Sequence, residues 1–134
     1  MKIKLMKLKG FTLVEIMIVV AVVALLAAIA IPSLLRAKMS SNDALAKATL
    51  HGIATAAETF ATSNGGNYPL DETSLIGATP AYLKKSYCDQ TIAGYSFSCV
   101  FTASTTYTIT ASPTVIGSSG TTTYTISTGG VLTP

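Results

Sequence analysis

The sequence predicts an α+β fold: a long N-terminal α-helix, apolar in its first half and amphipathic in its second, with a small antiparallel β-sheet head packed on its C-terminal half. Three features of the residue pattern lead there. Residues 11–31 are almost continuously apolar, and a run of that length favours helix over strand. Apolar residues then recur at three- to four-residue spacing as far as about residue 63, the stripe of an amphipathic helix. From Gly94 the pattern alternates with period two, as half-buried strands do. The helical stripe needs a cover, and only the residues after it remain to supply one.

Composition narrows the function before any motif is read. A chain of 134 residues holds one small domain plus an extension. Apolar residues make up 49% and charged residues 11%, about half the usual charged share, which excludes a disordered charged tail. The net charge of +3 is carried by Lys2, Lys4, Lys7 and Lys9; without them five basic and six acidic side chains leave −1. A nearly neutral body has no broad basic face for phosphate, so no nucleic-acid partner is predicted. One histidine, two cysteines and no tryptophan leave few parts for metal or nucleophilic chemistry, and no cofactor is predicted.

The first element is the apolar run FTLVEIMIVVAVVALLAAIAI at residues 11–31, in which Glu15 is the one ionisable group and Thr12 the other polar one. As a helix it is about 31 Å long, the thickness of a bilayer's hydrocarbon core. The four preceding lysines keep that end cytoplasmic by the positive-inside rule and place everything after Arg36 outside the cytoplasm. A cleaved secretory signal fits poorly, because the run is too long and its Ala27–Ala30 end continues into more helix. A plain anchor leaves Glu15 unexplained, since a carboxylate in mid-span costs roughly 2.5–3.5 kcal/mol. A position near the helix start softens that cost through snorkelling and the helix dipole.

The residues Lys9-Gly10-Phe11-Thr12-Leu13-Val14-Glu15, the unbroken apolar run and then Pro32 resemble a type IV prepilin of the type IVa kind. The resemblance covers about the first quarter of the chain. It implies a leader, residues 1–10, cut between Gly10 and Phe11 by a membrane aspartic peptidase that also N-methylates the new Phe11 amine. It makes Glu15 the glutamate of the family motif, an assembly charge for the Phe11 amine of a neighbouring subunit. Residues 11–35 become the membrane-spanning and filament-core helix, 36–63 its amphipathic half, and 64–134 the loop and sheet head. Many relatives carry a glycine within the apolar helix, whereas here none lies between Gly10 and Gly52. Pro32 is left as the strong breaker and the expected helix kink.

Beyond Pro32, the expected stripe is Leu45, Thr49, Ile53, Ala56 or Ala57, and Phe60, with Arg36, Lys38, Asp43, Lys47 and Glu58 on a solvated face. Asn64-Gly65-Gly66-Asn67 ends the helix. Tyr68-Pro69 and Thr79-Pro80 mark a loop, with Pro80 suited to the first position of a helical turn and Asp71 or Glu72 to a helix start. Three strands follow: one with Tyr95, Phe97, Cys99 and Phe101 on one face, one with Tyr107, Ile109 and Ala111, and one over residues 121–128 with Tyr124 and Ile126. Gly129-Gly130 is a hairpin signal that lets Val131-Leu132 return as a short edge strand.

Cys88 and Cys99 have neither CxxC nor zinc spacing. Outside the cytoplasm a disulfide between them would persist and tie the loop to the first strand; two free buried thiols are the alternative. Residues 90–134 contain no Asp, Glu, Lys, Arg or His, which denies that stretch an acid–base pair or a carboxylate cation cage. Asp71, Glu72 and Asp89 read as surface or helix-start groups rather than metal ligands. His51 reads as a surface residue, and no enzyme site emerges.

The expected function is a structural subunit of a type IV pilus-like filament that polymerises through its apolar helix. Helices would leave the bilayer and exchange lipid for one another, so packing decides, and a head-to-tail contact that does not close gives an open polymer. The expected partners are identical subunits, the prepilin peptidase/methylase, the pilus assembly machinery, and the inner membrane before assembly. The precursor would cross the inner membrane once, then move to a cell-surface filament. A type II secretion pseudopilin is the nearest alternative, opposed by the cysteine pair and the uncharged stretch from residue 90. A membrane-anchored binding protein that never polymerises is the alternative of a different class.

Overall fold

The computed structural model describes residues 10–102 and 104–134. Lys2, Lys4, Lys7 and Lys9, which fall in the expected leader, lie outside the described residues. The chain divides into two compact units, Met1–Leu35 and Arg36–Pro134.

One helix, α1, covers Leu13–Ser63 and includes Pro32. Apart from Glu15, residues 13–31 of the helix are all Leu, Ile, Val, Met and Ala, with no internal glycine. Phe11, Leu13 and the valines and isoleucines that follow are exposed. None of the most apolar 18-residue window of α1 is buried. The helix ends where Gly65 enters the left-handed region at φ 66° and the Gly66 N–H donates to the Ala61 carbonyl at 2.8 Å, a wrap that satisfies an otherwise orphaned carbonyl.

The head, Arg36–Pro134, contains the C-terminal part of α1, a short α2 at Glu72–Ile76 and a five-stranded sheet. Its strands are β1 (Thr91–Ile92), β2 (Tyr95–Thr102), β3 (Thr106–Pro113), β4 (Tyr124–Ser127) and β5 (Val131–Thr133). They pair in sequence order, all antiparallel. Opposite Cα partners Phe97↔Ala111, Cys99↔Ile109 and Ile109↔Ile126 fix the register. The alternation read from the sequence therefore places Tyr95, Phe97, Tyr107, Ile109, Ala111, Tyr124 and Ile126 on one buried face. That face packs on Ala46, Leu50, Ile53, Ala54 and Ala57 of α1. Large side chains on the sheet meet Leu50, Ile53 and several alanines on the helix in one core cluster.

Several expectations are corrected here. The buried stripe is Ala46, Leu50, Ile53, Ala54, Ala56, Ala57 and Ala61: the expected Ile53, Ala56 and Ala57 lie on it, while Leu45 is 46% exposed. The sheet supplies much of the bulk, so Ala46 and Leu50 rather than Leu45 and Thr49 face it. Strand β1 was not expected, because two residues are too few to show a period. The third expected strand, 121–128, shortens to Tyr124–Ser127. Pro80 does not start a helix; α2 begins earlier, with Asp71 as its cap accepting the Ser74 N–H at 2.8 Å. Cys88 and Cys99 are bonded, with Cα atoms 5.5 Å apart, so the loop before the sheet is stapled to β2 and no free cysteine remains.

Candidate functional site

In the N-terminal unit Gly10 and Phe11 precede the first helical turn, and Phe11 is 80% exposed. Thr12 and Glu15 form a reciprocal cap. The Glu15 N–H donates to Thr12 Oγ1 at 3.2 Å, and the Thr12 N–H donates to Glu15 Oε2 at 3.3 Å. The Thr12 hydroxyl reaches the same Oε2 at 3.3 Å. Such a Thr-x-x-Glu box satisfies two of the donors that every helix start leaves open. The Thr-x-x-Glu spacing is present in the sequence, where the charge of Glu15 masks its capping role. The two contacts to the Glu15 carboxylate both use Oε2, so Oε1 keeps its lone pairs for an outside donor. Pro32 sits within α1 in the same unit.

The head contains a second set of carboxylates with structural work. Glu58 accepts from the Tyr68 hydroxyl at 2.8 Å, the Tyr107 hydroxyl at 2.9 Å and the Gly129 N–H at 2.7 Å. Asp43 accepts from the Tyr95 hydroxyl at 2.6 Å and from the Thr121 N–H at 3.2 Å, and it also bonds the Thr121 hydroxyl. Glu72, only 8% exposed, takes the Tyr87 N–H at 2.6 Å, the Cys88 N–H at 3.1 Å and the Ser86 hydroxyl. The expectation that Asp43 and Glu58 lie on a solvated face is thus corrected. Each is half-buried and latches α1 to the sheet side of the head. The signal available in the sequence was the pairing of scarce acids with six tyrosines, which alone names no partner.

Burial pushes the Asp43 and Glu58 carboxyls up, and the hydrogen bonds outweigh it, so both end below the ordinary carboxylate range. The bonds from Thr121 and Tyr95 act on Asp43, and those from Tyr68, Gly129 and Tyr107 on Glu58. The phenols move the other way. Burial, then the bond to Asp43, pushes Tyr95 up to about 12; burial and Glu58 likewise raise Tyr107, and the bond to Glu58 raises Tyr68. These are neutral-donor-to-carboxylate bonds, the stronger class of hydrogen bond in proteins.

Asp71 caps α2 while Asp89 is exposed. Among the described residues, no group of three His, Cys, Asp or Glu side chains could hold a metal ion. His51 is exposed on α1.

Residues 5–31 match the family model described as the prokaryotic N-terminal methylation motif. The chain is 37% identical over 109 residues to the type IV wide pilus major component PilA4 of Thermus thermophilus, a match covering 72% of this chain and 81% of that protein. The chain belongs to the type IV pilin family. A second pilin, the type IV major pilin protein PilA of Myxococcus xanthus, is 46% identical over 52 residues, covering 39% of this chain and 24% of that longer protein. No solved structure gives a significant match. Pilins are structural subunits and not enzymes, and this pilin has the family's plan: an apolar N-terminal helix and an antiparallel sheet packed on the amphipathic half of α1 within the head.

Proposed function

We propose that this pilin is made as a membrane-anchored precursor, cut between Gly10 and Phe11, N-methylated at Phe11, and polymerised through the apolar part of α1 into a type IV pilus-like filament. The observation that supports the reading is an apolar helical surface left exposed among the described residues, within and just after the stretch that matches the methylation motif. Such a surface needs lipid first and other subunits later. The four leader lysines support a single pass with the N-terminus in the cytoplasm.

Cleavage would create a cationic amine at Phe11, one helical turn from Glu15. Within one subunit, exposed pairing at that spacing contributes only about 0.2–0.5 kcal/mol. Inside an apolar filament core each charge alone is costly, and a close pair between neighbours offsets much of both desolvation penalties. The Thr12–Glu15 box favours a second role for the same residue, since it caps the helix through Oε2 and leaves Oε1 for the neighbour's amine. Two variants separate these roles. Glu15→Gln keeps an acceptor for the cap and loses the charge; Glu15→Ala loses both. If the charge sets the register, both variants fold, insert and are cleaved, and neither yields filaments visible by electron microscopy. Normal filaments from Glu15→Gln would leave Glu15 as a cap alone and refute the charge pair.

A further inference from the structure

Beside β2 the head carries a recess of about 510 Å³ in which three carboxylates, Asp71, Glu72 and Asp89, meet Leu70, Val100 and the Cys88–Cys99 bond. Local structure brings them there. The Asp89 N–H donates to the Phe97 carbonyl at 2.8 Å, which lays the stapled segment along the strand, and Asp71 opens α2 as its cap. Glu72 is taken up by the Tyr87 and Cys88 N–H groups, and Asp71 Oδ1 by the Ser74 N–H. Those donors are neutral, so the bonds leave the negative charges uncancelled. Among the described residues no lysine, arginine or histidine lines the recess. Leu70 and Val100 are 65% and 57% exposed, and large apolar side chains exposed together inside a charged rim mark a surface for a partner.

A cation that answers this field lies at the other end of the same head. Beyond residue 10 the basic side chains are Arg36, Lys38, Lys47, Lys84 and Lys85. Lys47 and Lys85 lie over the rings of Tyr124 and Tyr87 at 4.7 and 5.0 Å. Lys38 lines a separate recess with Asn42 and Ser119, and Lys84 sits in the loop that leads to Cys88. Arg36 is exposed, and two helical positions from Lys38 it points to a different side. Its planar fork of donors matches carboxylates better than an ammonium does, and arginine is enriched among the side chains that carry protein contacts. Phe101, at the recess, is opposite Tyr107, whose hydroxyl bonds Glu58 at 2.9 Å. Arg36 precedes Glu58 on the same helix by roughly 33 Å of rise. A contact between two such separate surfaces joins two copies head-to-tail, the kind that propagates.

We propose that the recess receives Arg36 of a second copy, with the guanidinium on Asp89 and the aliphatic stem against Leu70 and Val100. This rests on the polymerising reading above and deepens it: the apolar helix holds subunits together, and this contact sets how one head follows another.

The test uses the full chain in cells that carry the assembly machinery, with filaments counted by electron microscopy. Arg36→Asp and Asp89→Arg should each lower the count at least about tenfold, because like charges then meet across a contact that pairs them in the parent. The double variant Arg36→Asp with Asp89→Arg should recover filaments, since the swapped charges rebuild the pair. Asp89 has a φ of 58°, which asparagine also tolerates, so Asp89→Asn removes the charge without backbone strain and should also lower the count. In every variant the subunit in the membrane fraction is checked for cleavage and for the Cys88–Cys99 bond, and a misfolded head would not be rescued by a change at its far end. Parent numbers from Asp89→Arg would overturn the contact and leave the recess to a partner other than this chain. A double variant no better than the single ones would overturn it too. A parent chain that makes no filaments refutes the polymerising reading and this contact with it, whereas parent filaments without rescue refute this inference alone.

Discussion

Glu58 shows most clearly how single residues hold this pilin's head together. One carboxylate collects two phenol hydroxyls and a backbone N–H from three different segments, and one donor, Tyr107, is only 1% exposed. Glu58→Ala would leave those donors unmatched, so a loss of about 2–3 kcal/mol is expected in denaturant unfolding. A change under about 0.5 kcal/mol would place Glu58 back on an ordinary surface. The same latches set the pH range. Asp43 and Glu58 have lowered folded pKa values, so their contribution is present above the ordinary carboxylate range and is lost as pH falls through the lower folded values. Tyr95 is raised to about 12 and Tyr68 and Tyr107 are raised too, so their contribution is present below the ordinary phenol value and lost as pH rises through the folded ones. Thermal midpoints should therefore be flat from about pH 5 to about pH 10 and fall on both sides. Asp43→Asn with Glu58→Gln should flatten the acid limb, and an unchanged acid limb would contradict the assignment.

At the scale of elements, the excursion between β3 and β4 is seated by a glycine chosen for space. A Cβ at Gly120 would run into the Tyr95 ring, and that ring cannot swing away because its hydroxyl is fixed to Asp43 at 2.6 Å and to the Thr122 carbonyl at 2.9 Å. Gly120→Ala should cost about 1–3 kcal/mol by overpacking, whereas Gly117→Ala, with nothing near its missing Cβ, meets no such clash and carries only the strain of its positive φ. Equal stability of Gly120→Ala and the parent would refute that packing. Elements with a long period were legible from sequence: the helix, the β2 and β3 faces, the Gly129-Gly130 hairpin and the Cys88–Cys99 staple. What escaped has physical reasons. The inward face of α1 is legible at Ile53, Ala56 and Ala57 but not at its start, where Ala46 and Leu50 rather than Leu45 meet the bulky sheet. Strand β1 exists only through its pairing with β2. The roles of Asp43, Glu58 and Glu72 depend on partners up to 78 positions away in the chain, which no local pattern encodes.

For the whole molecule, the account makes one chain serve two solvents in turn. The most apolar window of α1 is exposed among the described residues, while the head closes its own core with a disulfide, three carboxylate latches and a sheet whose strands carry no ionisable carboxylate or amine. That division suits a repeated subunit: the helix changes partners, and the head keeps its shape. The N-terminal motif was the most legible part of the sequence, since leader, junction, glutamate and apolar length are all local. The central claim is that the mature subunit begins at Phe11. Intact-mass spectrometry of subunits dissociated without reductant from native filaments tests it most directly. The account predicts the full-chain mass lowered by residues 1–10, raised by a net CH2 for the N-methyl group, and lowered by two hydrogens for the Cys88–Cys99 bond. Filaments built from the full chain with Gly10 still joined to Phe11 would contradict it.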